Sequence, residues 1–113
     1  MAEIRVRREE SIAVIQATGY INKSCGEQMA AVCDDLVEEG VVKLVLNLEQ
    51  CPMVNSVGIS YLIEMLEKVT ELGGKVAFNS VARDVARVLQ LMGLLNKATL
   101  HDTETEAVAA MSD

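Results

Sequence analysis

The chain has 113 residues, half of them hydrophobic and 24% charged, with 17 acidic against 10 basic side chains and a formal net charge of −7. That length suits one domain, 1–113, able to bury roughly two-thirds of its unfolded surface without help from a disulfide or a metal. The acidic balance argues against nucleic acid as a partner, because phosphate backbones are bound by clustered Lys and Arg, and the only basic cluster is Arg5, Arg7 and Arg8.

Aromatic residues are confined to Tyr20, Tyr61 and Phe78, too few for a base-stacking platform. The core must be aliphatic. Cys25, Cys33 and Cys51 show no CxxC spacing, so they read as small apolar thiols in a reducing compartment rather than as a disulfide framework or zinc site. The charged start carries no secretory signal pattern. No apolar run reaches the ~18 residues of a membrane helix. The expectation is a soluble, cytoplasmic domain with no direct membrane insertion.

Residues 3–8 alternate apolar and charged, as in an edge or half-buried strand, and 12–18 form a second strand after a short polar turn, giving a hairpin. Met29, Val32, Cys33, Leu36 and Val37 recur at helical spacing, which predicts an amphipathic helix over 24–39 closed by Gly40. Residues 41–48 are almost continuously apolar, the mark of a strand buried on both faces of a parallel sheet. Leu62, Met65, Leu66, Val69 and Leu72 define a helix over 57–72, with Glu64 and Lys68 in the favourable i,i+4 order. Gly73 and Gly74 stop it, and 75–79 is a strand. The strand–helix–strand unit implies a right-handed crossover. A helix over 81–92 with Val85, Val88, Leu89 and Met92 inward, a short strand at 97–100 and a helix over 103–111 complete the order.

Catalytic patterns are missing. His101 is the single histidine, so neither a histidine-rich metal cluster nor a Cys–His pair is within reach. Gly73, Gly74 and Lys75 follow a helix and lack the upstream glycine and the Ser/Thr of a phosphate loop. Gly58, Ser60 and Leu62 miss the second glycine of a nucleophile elbow. Ser56 has no histidine or lysine placed by sequence to activate it, the nearest basic residue along the chain being Lys68. No catalytic residue, cofactor or metal is expected.

The informative segment is 54–59, where Ser56 stands at a loop-to-helix junction. One reading makes Ser56 a helix N-cap, worth about 1 kcal/mol. The other makes it a modification site: a phosphoryl group there would meet the positive end of the helix dipole and add about −1.5 to −2 charges, enough to repel a docked partner. Gly58 inside the first turn weakens the helix by roughly 1 kcal/mol relative to Ala, which suggests that another backbone or a partner comes close.

Five segments in order resemble the STAS domain family, and most closely its small bacterial anti-sigma factor antagonists. Thr18–Asn22 resembles the TGEID turn, and 44–48 the LNL-type central strand. Residues 55–59 resemble the DSSGLG signature, Gly73 and Gly74 the glycines after the second helix, and 92–94 the SGL-type turn. The resemblance implies an α/β fold: a mixed four-to-five-stranded sheet with about four helices packed mainly on one face. It implies no enzyme but a protein that binds an anti-sigma factor with serine-kinase activity, ATP being bound by the partner. Phosphorylation of Ser56 would break the complex and a phosphatase would reset it. The partner-binding residues would be Tyr20, Asn22, Ser24, Asn55, Ser56, Val57 and Gly58, on a monomer or weak dimer. Two family carboxylates are amides here, Asn22 and Asn55, and the family's Glu is Tyr20. An amide keeps hydrogen bonding but carries no charge. The alternatives are an unphosphorylated STAS interaction module, such as a subunit of a lipid-transport ATPase or of a stress-signalling scaffold, and a nucleotide- or small-molecule-binding domain using the helix start at 55–58.

Overall fold

The computed structural model describes residues 3–112; Met1, Ala2 and Asp113, the ends of the expected 1–113 domain, lie outside the described residues. Two strands, β1 (Glu3–Glu9) and β2 (Ile12–Thr18), pair antiparallel around the two-residue turn Glu10–Ser11. Then follow α1 (Lys23–Glu38), β3 (Lys43–Gln50), α2 (Ser56–Glu71), β4 (Lys75–Asn79), α3 (Arg83–Leu91), a 3₁₀ turn at Leu94–Asn96, β5 (Thr99–His101) and α4 (Glu104–Met111). The sheet order is β1-β2-β3-β4-β5, with every pair beyond the hairpin parallel. The mixed α/β fold expected from the sequence is the one found.

Strand alternation sorts the core into two layers. Ala13, Ile15, Ala17, Leu44, Leu46, Leu48, Val76 and Phe78 face the larger one, closed by α1, α2 and α3. Ile12, Val14, Val45 and Ala77 face the opposite side, where Ala107 and Met111 of α4 cover them. Three helices thus share one face and α4 alone takes the other. The central strand β3 is buried on both faces, as its apolar run required.

Several boundaries differ from the sequence reading. Helix α1 starts at Lys23 rather than 24, and α3 spans Arg83–Leu91 rather than 81–92, since Ala82 precedes it without any side-chain cap. The last strand, expected at 97–100, starts two residues later and ends one later, at Thr99–His101. Met92, expected inward, is exposed: Gly93 takes a left-handed φ of 83° and turns the chain before Met92 can reach the core. Lys68 does not pair with Glu64; its ammonium reaches across to Asp34 of α1. All three cysteines are free and buried. None of the helices among the described residues is long and apolar enough to cross a membrane.

Candidate functional site

Beyond β2 and β3 the parallel pairing does not stop but narrows to a single bridge between Ile21 and Val54. The Gly19 amide donates to the Gln50 carbonyl (2.9 Å), Ile21 N–H to Met53 (2.9 Å) and Asn55 N–H back to Ile21 (3.1 Å). These bonds zip the 19–22 and 50–55 loops together, so that α1 and α2 begin side by side. The glycine inside the first turn of α2 has its explanation here. An ideal Cβ on Gly58 would lie 2.1 Å from the Ile21 carbonyl oxygen, so only glycine lets the helix start this close to the neighbouring backbone. The approach inferred from the sequence is that of Ile21. One turn into α1, a Cβ on Gly26 would meet the Tyr61 ring at 2.7 Å, which keeps the two helices close.

Both helices are capped by asparagine. The Asn22 side chain accepts from the Cys25 amide (3.1 Å) and the Asn55 side chain from the Gly58 amide (2.9 Å). This corrects the capping assignment: Asn55, not Ser56, is the N-cap of α2, and Ser56 is its first helical residue. The hydroxyl of Ser56 is exposed, and no hydrogen bond engages it among the described residues. The two amides therefore supply the capping oxygen without a charge. Neither α1 nor α2 has an acidic residue in its first turn.

A groove of about 560 Å³ opens between the two helix starts, lined by Asn22, Lys23, Ser24, Glu27 and Gln28 from the α1 side and by Asn55 and Val57 from the α2 side. Lys23 is not among the partner-binding residues that the resemblance implies, but the loop zipper that brings its neighbours Asn22 and Ser24 beside Asn55 brings it to the same groove. Around this end of the molecule Tyr20 is 40%, Val57 43% and Met53 57% exposed. Met53 lies just before the informative 54–59 segment, and its carbonyl is one of the zipper's acceptors. Of the expected partner-binding residues, Tyr20, Asn22, Ser24, Asn55, Ser56 and Val57 do gather at this end of the sheet. Gly58 is buried beneath it and shapes the surface without presenting a side chain.

Residues 3–107 match the STAS domain family. The chain belongs to that family. Among sequence relatives, the anti-sigma F factor antagonist of Paenibacillus polymyxa is 18% identical over 110 residues, covering 96% of this chain and 94% of that protein. Among solved structures, an anti-sigma factor antagonist from Mycobacterium paratuberculosis superposes with a TM-score of 0.87 at 21% identity, over 100% of this chain and 96% of that one. The unphosphorylated form of the antagonist SpoIIAA gives 0.78 at 17% identity, covering 96% of each chain. The phosphorylated form of SpoIIAA from Bacillus gives 0.79 at 18%, covering 97% and 100%. At these identities the likeness of the STAS domains is one of fold.

Proposed function

We propose that this STAS domain is an anti-sigma factor antagonist. It captures an anti-sigma factor through the end of the sheet where α1 and α2 begin, and phosphorylation of Ser56 releases it. The observation that carries the reading is the placement of Ser56: an exposed hydroxyl on the first residue of α2, free of hydrogen bonds among the described residues and flanked by the exposed apolar side chains of Tyr20, Met53 and Val57. Such side chains, placed around an accessible serine, suit a protein interface with a polar centre.

In the switching step the Ser56 oxygen attacks the γ-phosphorus of ATP held by the partner. The bond to the β-phosphate oxygen breaks, ADP departs, and the hydroxyl proton passes to a base of the partner. The chain supplies only the acceptor oxygen and its orientation; it is a binding module and not the catalyst. A phosphoryl group at the first helical position is favoured by the unpaired N–H groups and the helix dipole. With Asn22 and Asn55 neutral, neither helix cap opposes its charge; of the two charged side chains on the groove, Lys23 attracts it and Glu27, one turn into α1, opposes it. The modified surface gains about two negative charges, which disrupts an apolar interface by desolvation.

The test is capture from the native lysate by tagged wild type, Ser56→Ala and Ser56→Glu, with ATP or ADP added and the modification state of Ser56 read by mass spectrometry. The expected result is recovery of a kinase-like anti-sigma factor by wild type and Ser56→Ala, and its loss with Ser56→Glu. Capture of one partner equally by all three would overturn the switch and leave a constitutive interaction module.

A further inference from the structure

The far flank of the molecule carries a second surface that the Ser56 site does not use. Strand β5 is the open edge of the sheet, bonded to β4 alone. The other edge, β1, is lined with Glu3, Arg5, Arg7, Arg8 and Glu9, the charged arrangement that discourages strand addition. Strand β5 has no such guard: it reads Thr99, Leu100, His101. Leu100 pairs in register with Phe78, hence points to the α1–α3 face, yet it is 42% exposed because α3 stops short of covering it. Between α3 and β5 runs a groove of about 390 Å³ lined by Arg83, Asp84, Ala86, Arg87 and Gln90 from the helix and by Leu95 and Leu100 beside it.

The two arginines set this groove apart. Arg5 pairs with Glu3, Arg7 with Glu9 and Glu104, and Arg8 with Glu39. Arg83 and Arg87, by contrast, make no hydrogen bond or ion pair among the described residues, not even with adjacent Asp84. In a chain of net charge −7 the two arginines outnumber the single carboxylate of the groove, Asp84, and leave it locally positive beside Leu95, Leu100 and the open strand edge. We propose that this groove docks an acidic, extended peptide segment of a partner protein, added as a sixth strand along β5. Spacing supports the match. Four helical residues separate the arginines by about 6 Å along the helix axis, and carboxylates at i and i+2 of a strand, on one face, are about 6.6 Å apart. Main-chain bonds to β5 supply the pairing, the arginines grip the carboxylates, and an aliphatic side chain two residues further along reaches Leu95 and Leu100. A second copy of this chain docking through its own β5 would bring Arg83 and Arg87 against their symmetry mates, which like-charge repulsion opposes.

A random dodecamer peptide library selected against wild type and the Arg83→Ala/Arg87→Ala variant tests this. Both side chains are exposed and unpartnered, so the variant keeps the fold. The expected outcome is enrichment by wild type of segments with acidic residues at i and i+2 beside an aliphatic one. These should bind the double variant about tenfold or more weakly and shift the backbone amide resonances of residues 99–101. Selection of the same peptides by both proteins, absence of acidic bias, or resonance shifts centred elsewhere would overturn the proposal. So would a concentration-dependent dimer in sedimentation that the double variant abolishes, since the occupant would then be a second copy. The result does not depend on the Ser56 reading: Ser56→Glu should leave the peptide affinity unchanged.

Discussion

Replacing Asn55 by alanine removes the oxygen that accepts from the Gly58 amide and leaves that N–H without its cap. The expected loss is about 1 kcal/mol, measured by urea unfolding. Asn55→Asp retains the acceptor and places a charge at the positive end of α2, so it should be neutral or stabilising by a few tenths of a kcal/mol at low salt. Ser56→Ala, one position on, should change stability by no more than about 0.5 kcal/mol, because its hydroxyl is exposed and caps nothing. A larger loss for Ser56→Ala than for Asn55→Ala would overturn the capping assignment. Gly58→Ala belongs to a different class. The new methyl would sit 2.1 Å from the Ile21 carbonyl oxygen, forcing the 19–22 loop and α2 apart at a cost of about 1–3 kcal/mol. The variant should also lose partner capture, since the loops that gather Tyr20, Met53 and Val57 would no longer be zipped.

At the level of elements, α4 is the helix held by a few specific ties. Its first residue, Glu104, accepts from the Asn47 side chain of β3 (3.0 Å) and from Arg7 of β1 (2.9 Å). The Asn47 hydrogen bond first, and Arg7 after it, hold the Glu104 carboxyl below the ordinary carboxylate range against an opposing contribution from partial burial. A depressed folded-state pKa means that the ionised form stabilises the fold above the unfolded value of about 4.3, and that this contribution is lost as the pH falls through the lower folded value. Glu104→Gln should therefore lose about 1 kcal/mol at neutral pH, allowing for solvent screening of a partly exposed group, and should show a flatter decline of stability in acid; an unchanged acid profile would assign α4 docking to Ala107 and Met111 alone. Elements of this kind also show what was legible from residues in order. The buried strand β3 and the stripes of α1 and α2 follow from periodicity, because burial there repeats along the chain. The starts of α1 and α2 and the end of α3 depend on which neighbouring side chain wins the cap and on one left-handed glycine, choices too local for a periodic pattern. The groove beside Ser56, Lys23 included, depends on Ile21 meeting Val54, and no local pattern encodes that contact.

Across the whole molecule the three thiols report on how the layers hold together. Cys25 and Cys33 of α1 and Cys51 after β3 all lie in the larger core, with the Cys51 Sγ 3.3 Å from the Ala17 carbonyl and the Cys25 sulfur 3.8 Å from that of Met29. Burial pushes every one of them up. Cys33 reaches about 11, with adjacent Asp34 adding to the effect and Lys68 opposing it, and Cys51 reaches about 12, with Cys25 adding. Only the thiolate reacts with disulfide reagents, so the folded chain protects these groups twice, by exclusion and by protonation. No strand or helix can withdraw to bare one of them without opening a core shared by α1, α2 and β2–β4. Labelling of the native protein by an aromatic disulfide reagent at neutral pH should therefore proceed through global opening, at least about a thousandfold slower than in denaturant for a domain of ordinary stability, and with one rate for all three cysteines. Gly58→Ala and Asn55→Ala should raise that common rate by the factor their unfolding free energies dictate. A single cysteine that reacts ahead of the others would instead locate a subglobal opening, and Cys51, next to the zipped loops, would place it at the partner-binding end.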